Sequence, residues 1–183
     1  MAPQKNPPIA IDRRLNQVTQ LIAENKLNEA EALCQKLAPQ LKEKDKDPYI
    51  LHALGLINFL RHNYPESIEL FKLSVVTITD NPNFYSNLGE ALRRNGQSQE
   101  ALLHFHNALL VDPYFPKAHL GIANTLSDLD RSEHAITRFQ FLIKLHPNFA
   151  PAYHYLGVMF TSLERNQEAI PLIRKALALQ KDW

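Results

Sequence analysis

"NLGEALRRNGQSQEALLHFHNALLVDP", Asn87 to Pro113, has a Leu-Gly pair near its start, an alanine and a phenylalanine in its middle and an Asp-Pro at its close. The rest is rich in good helix formers, so the glycine and the proline call for a reason. Shifted by 34 residues either way, the same residue types recur: Gly55, Gly89, Ala123 and Gly157; Ser67, Ala101, Ala135 and Ala169; Phe71, Phe105, Phe139 and Ile173. Leu54, Leu88, Ile122 and Leu156 precede the small residue, and Thr79, Pro113, Pro147 and Lys181 close the unit. Several columns in register over four units, without insertion or deletion, define an internal repeat, and a period of about 20–50 residues marks a stacked architecture.

Within each unit the spacing is helical. Tyr85, Leu88, Gly89 and Leu92 form one apolar stripe, and Ala101, Phe105 and Ala108 continue a second after the break at Asn95-Gly96-Gln97. Each unit therefore reads as two helices joined by a tight turn. A small residue in the Leu-Gly column lets the two helices approach closely, although glycine costs ~1 kcal/mol in a helix interior. The second-helix alanines do the same from the facing side, Phe71, Phe105 and Phe139 fill the remaining space, and the closing proline ends the second helix.

The repeat length, the Leu-Gly pair, the Ala and Phe columns and the terminal proline together resemble the tetratricopeptide repeat. The resemblance implies an all-α fold, a right-handed superhelix of about five helix-turn-helix repeats. Four full repeats are expected at 48–81, 82–115, 116–149 and 150–183. A degenerate copy anchored on "LNEAEALCQKL" (Leu27 to Leu37) is expected at about 11–44, making residues 11–183 the array and residues 1–10 a flexible tail. The charged stretch Lys42 to Asp47 reads as a solvated loop. Two departures from the family pattern stand out. The fourth position is Leu51, Tyr85, His119 and Tyr153, never Trp, and Pro171 lies inside the last helix, whose first turns it should bend.

Composition sets the frame for function. The 183 residues are 45% hydrophobic with a formal charge of +1, enough for a core and without the positive field of a dedicated nucleic-acid binder. No apolar run approaches the ~18 residues of a membrane span, and MAPQKNPPIA lacks a signal-peptide core, so a cytoplasmic address is expected. Cys34 is the only cysteine, which excludes an intramolecular disulfide and a cysteine zinc site and leaves it as apolar filler. His104 and His106 sit two residues apart on a helix and point to different sides. Metal-ligand spacings, nucleophile elbows and phosphate-binding glycine loops are all missing, so no catalytic residue, cofactor or metal is expected in this chain. Glu66, Glu100 and Glu168 recur at helix-start positions.

Function is then expected in a surface, the concave side lined by the first helices, which offers a groove to a protein or an extended peptide. The family's groove positions carry an apolar section with Tyr49, His52, Leu56 and Phe59, a polar centre with Asn87, Glu90, Arg93, Arg94, Lys117 and Asn124, and an aromatic step with His154 and Tyr155. Asn87 and Asn124 would satisfy peptide amides, and Arg93 or Arg94 would pair a charge. Each has a second reading. The arginines could be solvated helix-end cations, the asparagines could serve locally, and Tyr49, Leu56 and Phe59 could be covered by the degenerate repeat.

Subtypes within the family can be compared residue by residue. The carboxylate clamp of chaperone-tail binders would need Lys, Asn, Asn, Lys and Arg where this chain has His52, Leu56, Asn87, Lys117 and Gly121, so that ligand is not expected. The phrase from Pro82 to Pro113 looks more like the repeats that precede O-linked N-acetylglucosamine transferase domains, whose groove asparagines hold peptide backbones at the sixth position. Asn16 and Asn87 keep that position, whereas Ala53, Gly121 and Tyr155 do not. A binding scaffold and the recruiting segment of a larger glycosyl-, sulfo- or methyltransferase are thus both open. The final helix keeps the internal pattern at Ile173, Leu177 and Leu179, so the chain is expected to continue beyond Trp183 or to bury this stripe in a homodimer.

Overall fold

A computed structural model describes residues 9–37 and 47–180. The expected tail over residues 1–10, apart from its last two residues, and the expected loop from Lys42, apart from Asp47, lie outside the described residues, as does Trp183. Among the described residues there are ten helices and no strand: α1 (Ile9–Ala23), α2 (Leu27–Leu37), α3 (Pro48–Leu60), α4 (Tyr64–Thr77), α5 (Pro82–Arg94), α6 (Ser98–Val111), α7 (Pro116–Asp128), α8 (Ser132–Leu145), α9 (Ala150–Ser162) and α10 (Asn166–Gln180). They pair as successive helical hairpins, an all-α solenoid arrangement. The chain divides into two compact units between Thr79 and Asp80, with α1–α4 in the first and α5–α10 in the second.

Local chemistry sets the helix ends. Pro48, Pro82, Pro116 and Pro151 open the first helices, where a missing N–H costs nothing. Asp47 caps α3 by accepting from the Tyr49 and Ile50 amides (2.8 and 3.4 Å), and Asn81 caps α5 through the Asn83 amide (3.0 Å). Second helices start with Glu66, Glu100, Glu133 and Glu168 in their first turns, favourably placed against the helix dipole. Helices α6 and α8 stop ahead of Pro113 and Pro147, with Asp112 extended at ψ 102 and His146 out of the helical region at ψ 79. Pro171 lies inside α10, as expected, and the helix runs from Asn166 to Gln180.

Each hairpin turns on one left-handed residue, Asn25, His62, Gly96, Asp130 or Glu164, with φ between 57° and 80°. The amide that follows reaches back five residues to the helix, for example Gln97 N to Leu92 O (2.8 Å) and Arg165 N to Phe160 O (2.8 Å). Only the second full repeat uses glycine there.

The glycine column meets the phenylalanine column. A Cβ on Gly55 would lie 2.6 Å from the Phe71 ring and one on Gly89 would lie 2.9 Å from the Phe105 ring. Phe105 also presses on the next repeat, where a Cβ on Gly121 would come within 2.2 Å. That ring, almost wholly buried, thus seats in hollows on both α5 and α7. In the first full repeat the Ser67 hydroxyl donates to the Gly55 carbonyl (2.9 Å), binding α4 to α3 where the helices touch. Cys34 is buried among Val18, Ala30, Ile50 and Ile57, and burial pushes its thiol up to about 11.

The fourth position ties a first helix to the preceding proline loop. The Nε2–H of His119 donates to the Pro113 carbonyl (2.9 Å), and the Tyr153 hydroxyl donates to the Pro147 carbonyl (2.9 Å) one repeat later. Burial above all, helped by the charges of Arg138 and His146 and opposed by the Pro113 bond, holds the His119 imidazole below its ordinary value of 6.5.

Two outcomes follow from this packing. Phe105→Ala should cost ~3–5 kcal/mol in urea unfolding. Gly121→Ala, which adds one methyl against the same ring, should cost ~1–3 kcal/mol. Because a depressed histidine disfavours protonation in the folded state, its contribution is full above the unfolded value of 6.5 and is lost as pH falls below it. The melting temperature should drop in that window, and His119→Tyr, which keeps a donor for Pro113, should flatten the drop.

Candidate peptide-binding site

In the second unit the first helices α5, α7 and α9 lie side by side, and a groove of ≈ 270 Å³ crosses their C-terminal halves. Its floor is Phe139, Tyr155, Val158 and Met159, and its polar wall is Arg93, Arg94, Asn124, Ser127, Asp128 and Ser162. Four sequence-predicted residues come together here: Arg93, Arg94, Asn124 and Tyr155. Tyr155 lies flat over Phe139, with ring centroids 6.5 Å apart and planes within 5°. His154 is exposed and stands edge-on to Tyr155 at 5.3 Å. Asn87 is half-buried on α5 and Lys117 exposed at the start of α7, both off the groove.

The wall carries an internal charge network. Glu90 receives Arg93 in a fork, Nε to Oε2 at 2.9 Å and Nη2 to Oε1 at 2.8 Å, and Arg94 Nε adds a third bond at 2.9 Å. Arg93 Nη1 then crosses to Asp128 Oδ2 on α7 (2.6 Å). Burial works against the Arg93 charge, but its bonds to Glu90 and Asp128 outweigh that and hold the guanidinium more firmly protonated than usual. Burial likewise opposes the Glu90 charge, and Arg93 and Arg94 prevail, keeping the carboxyl below its usual range. With its side chain 11% exposed, Arg93 is a clip between two helices rather than a helix-end cation in water. Arg94, 49% exposed, faces the groove with most of its donors available. Asn124 has no hydrogen bond among the described residues, so its amide can both donate and accept there.

Sequence reading missed Phe139 and Met159 as floor residues, because both belong to core columns and stay buried here, reaching the groove only as its base. It also missed the Arg93–Asp128 pair. Their spacing of 35, one repeat plus one residue with opposite charge, was the available signal.

The first unit carries the apolar candidates on α3. Ile50, Ala53 and Ile57 form its core with α1 and α2 residues, and Tyr49, Leu56 and Phe59 are not among them. Tyr49 is exposed, Leu56 is half-buried, His52 packs on Phe71 at 5.1 Å and Phe59 on Tyr64 at 5.6 Å. Among the described residues no group of three or more His, Cys, Asp or Glu could hold a metal ion, and no helix is long and apolar enough to cross a membrane.

If Arg93 clips α5 to α7, Arg93→Ala should cost ~1.5–3 kcal/mol, as lost hydrogen bonds to charged groups do. Arg94→Ala should stay within ~0.5 kcal/mol, as exposed changes do. Thermal unfolding of the two variants compares them directly.

Residues 120–182 match the tetratricopeptide repeat family profile. Over 77 residues the chain is 25% identical to the peroxisomal targeting signal receptor of Eremothecium gossypii, covering 42% of this chain and 14% of that protein. The Saccharomyces cerevisiae receptor of the same name is 27% identical over 77 residues, 42% of this chain and 13% of that protein. The chain thus aligns with a small part of either receptor. TTC0263, a thermophilic TPR protein of Thermus thermophilus, superposes with a TM-score of 0.79 at 21% identity, covering 92% of this chain and 90% of that one. MamA superposes at 0.69 with 19% identity over 90% and 95% of the two chains. YrrB, described as a TPR protein with an unusual peptide-binding site, superposes at 0.63 with 21% identity over 92% and 86%. Residues 120–182 therefore match the tetratricopeptide repeat profile, and the chain has the all-α fold of the solved structures it superposes on, a TPR protein of Thermus thermophilus among them.

Proposed function

We propose that this protein is a binding scaffold that holds an extended peptide segment of a partner protein in the groove over α5, α7 and α9. The observation that carries the reading is the groove's composition: an aromatic and aliphatic floor beside the hydrogen-bond-capable Asn124 amide. An extended peptide presents that combination, since its backbone amides need partners and one side chain can seat on Tyr155 and Val158. The names of the matched relatives, a targeting signal receptor and a protein with a peptide-binding site, support a peptide as ligand.

Charge has a limited part in this binding. Glu90 and Asp128 already balance Arg93 and Arg94, so a peptide carboxylate would engage Arg94 alone and add modestly to affinity. Tyr49, His52, Leu56 and Phe59 on α3 form a second, apolar candidate surface in the first unit. Binding without catalysis accounts for the residues of both surfaces, and exposed Leu177 on α10 supports self-association as a further property. A recruiting role for a transferase through an asparagine ladder gains no support, because at Gly121 the Phe105 ring takes the space a side chain would need.

Peptides selected from a random display library on the wild-type protein give the test. Asn124→Ala and Tyr155→Ala should each weaken the best binder by about tenfold, ~1.4 kcal/mol, in fluorescence anisotropy. Circular dichroism should show both variants folded. Wild-type affinity in both would remove the groove from the reading.

A further inference from the structure

On the other side of α7 the second unit has a larger hollow, ≈ 650 Å³, between α6 and α8, and it shares no residue with the groove. Its apolar part is Leu102, Ile122, Leu126 and Phe141. Phe141 is 47% exposed for a large aromatic side chain, leaning on the buried His119 ring at 5.3 Å. The volume is in the range of ~300–1,000 Å³ typical of built binding pockets.

The rim of this hollow is cationic. Arg131 and Arg138 line it, and neither has an ion pair among the described residues, in contrast to Arg93 and Arg94. Glu133 is the one carboxylate on the lining, and it is 82% exposed and turned toward Arg165 (4.0 Å). His106 uses its Nδ1–H on the Leu102 carbonyl (2.7 Å), leaving Nε2 as the nitrogen open to a ligand. An apolar floor with two uncompensated guanidinium groups beside it is complementary to one kind of ligand surface. We infer that this face docks an acidic peptide segment that inserts one large apolar side chain, Leu or Phe, over Phe141 while its carboxylates take Arg131 and Arg138.

The chemistry favours a peptide over a nucleic acid. Planar arginine forks bind carboxylates bidentately, and the apolar floor has no use for a sugar-phosphate backbone. This surface is separate from the groove over α5, α7 and α9, and the two can succeed or fail independently.

A random-peptide display library selected on the wild-type protein, then counter-selected on the Arg131→Gln, Arg138→Gln variant, tests the inference. Peptides lost on the variant should be rich in Asp and Glu around a Leu or Phe. In anisotropy such a peptide should bind the variant at least about tenfold more weakly, bind Tyr155→Ala as wild type, and weaken with added salt as exposed charge pairs are screened. Phe141→Ala should weaken it too, with circular dichroism confirming that both variants are folded. No peptide sensitive to the two arginines, sensitive peptides without acidic bias, or displacement of the peptide by a single-stranded oligonucleotide would overturn it.

Discussion

The Phe105 ring, held between Gly89 of its own repeat and Gly121 of the next, is the contact on which the second unit depends. It explains the period in physical terms. A phenylalanine on a second helix is wide enough to touch the first helix on either side, as Phe105 does, provided that those helices offer hollows at fixed offsets. Where the hollow is missing the packing adapts: Ala123 replaces glycine beneath Phe139, and Tyr155 lies over that ring instead of leaving it a gap. Because the Phe105 ring is buried by two repeats at once, those repeats share their stability within the second unit.

The same contact decides the chemistry of the groove. Within the second unit the sixth positions of α7 and α9, Gly121 and Tyr155, lie against the phenylalanine of the repeat before, Phe105 and Phe139. At Gly121 the ring fills the space, so no side chain can serve a ligand there, while at Tyr155 the ring supports an aromatic platform. Arg93 then ties α5 to α7 across the groove's wall and uses its charge inside the fold. What is left for a partner is Asn124, the free donors of Arg94 and the Tyr155–Val158 floor, a mostly uncharged site suited to backbone and apolar recognition.

The helices and their pairing could be read from the chain because they are local: the apolar stripe, the turn at Gly96 and the opening and closing prolines each act within a few residues. Repetition then multiplied a weak signal by four. The side-chain network could not be read in the same way. That Arg93 serves Asp128 rather than solvent depends on the rise between neighbouring repeats, which no single repeat encodes. The left-handed positions at His62 and Glu164 were hidden for a related reason: glycine marks this turn once, at Gly96, and elsewhere the backbone bond across the turn imposes the conformation on residues that do not favour it. His119 looked like a departure from the pattern, and its role as donor to Pro113 emerges only beside Tyr153, which makes the equivalent bond.

The seating of Phe105 against Gly121 is tested most directly by a double-mutant cycle of Phe105→Leu and Gly121→Ala, measured by urea unfolding. Leucine lacks the ring edge that a Cβ at position 121 would strike, so Gly121→Ala should cost far less in the Phe105→Leu background than alone, with a coupling of about 1 kcal/mol or more. Additive costs, within ~0.3–0.5 kcal/mol, would mean that the ring and the glycine do not meet, and would contradict this account of how the stack is built.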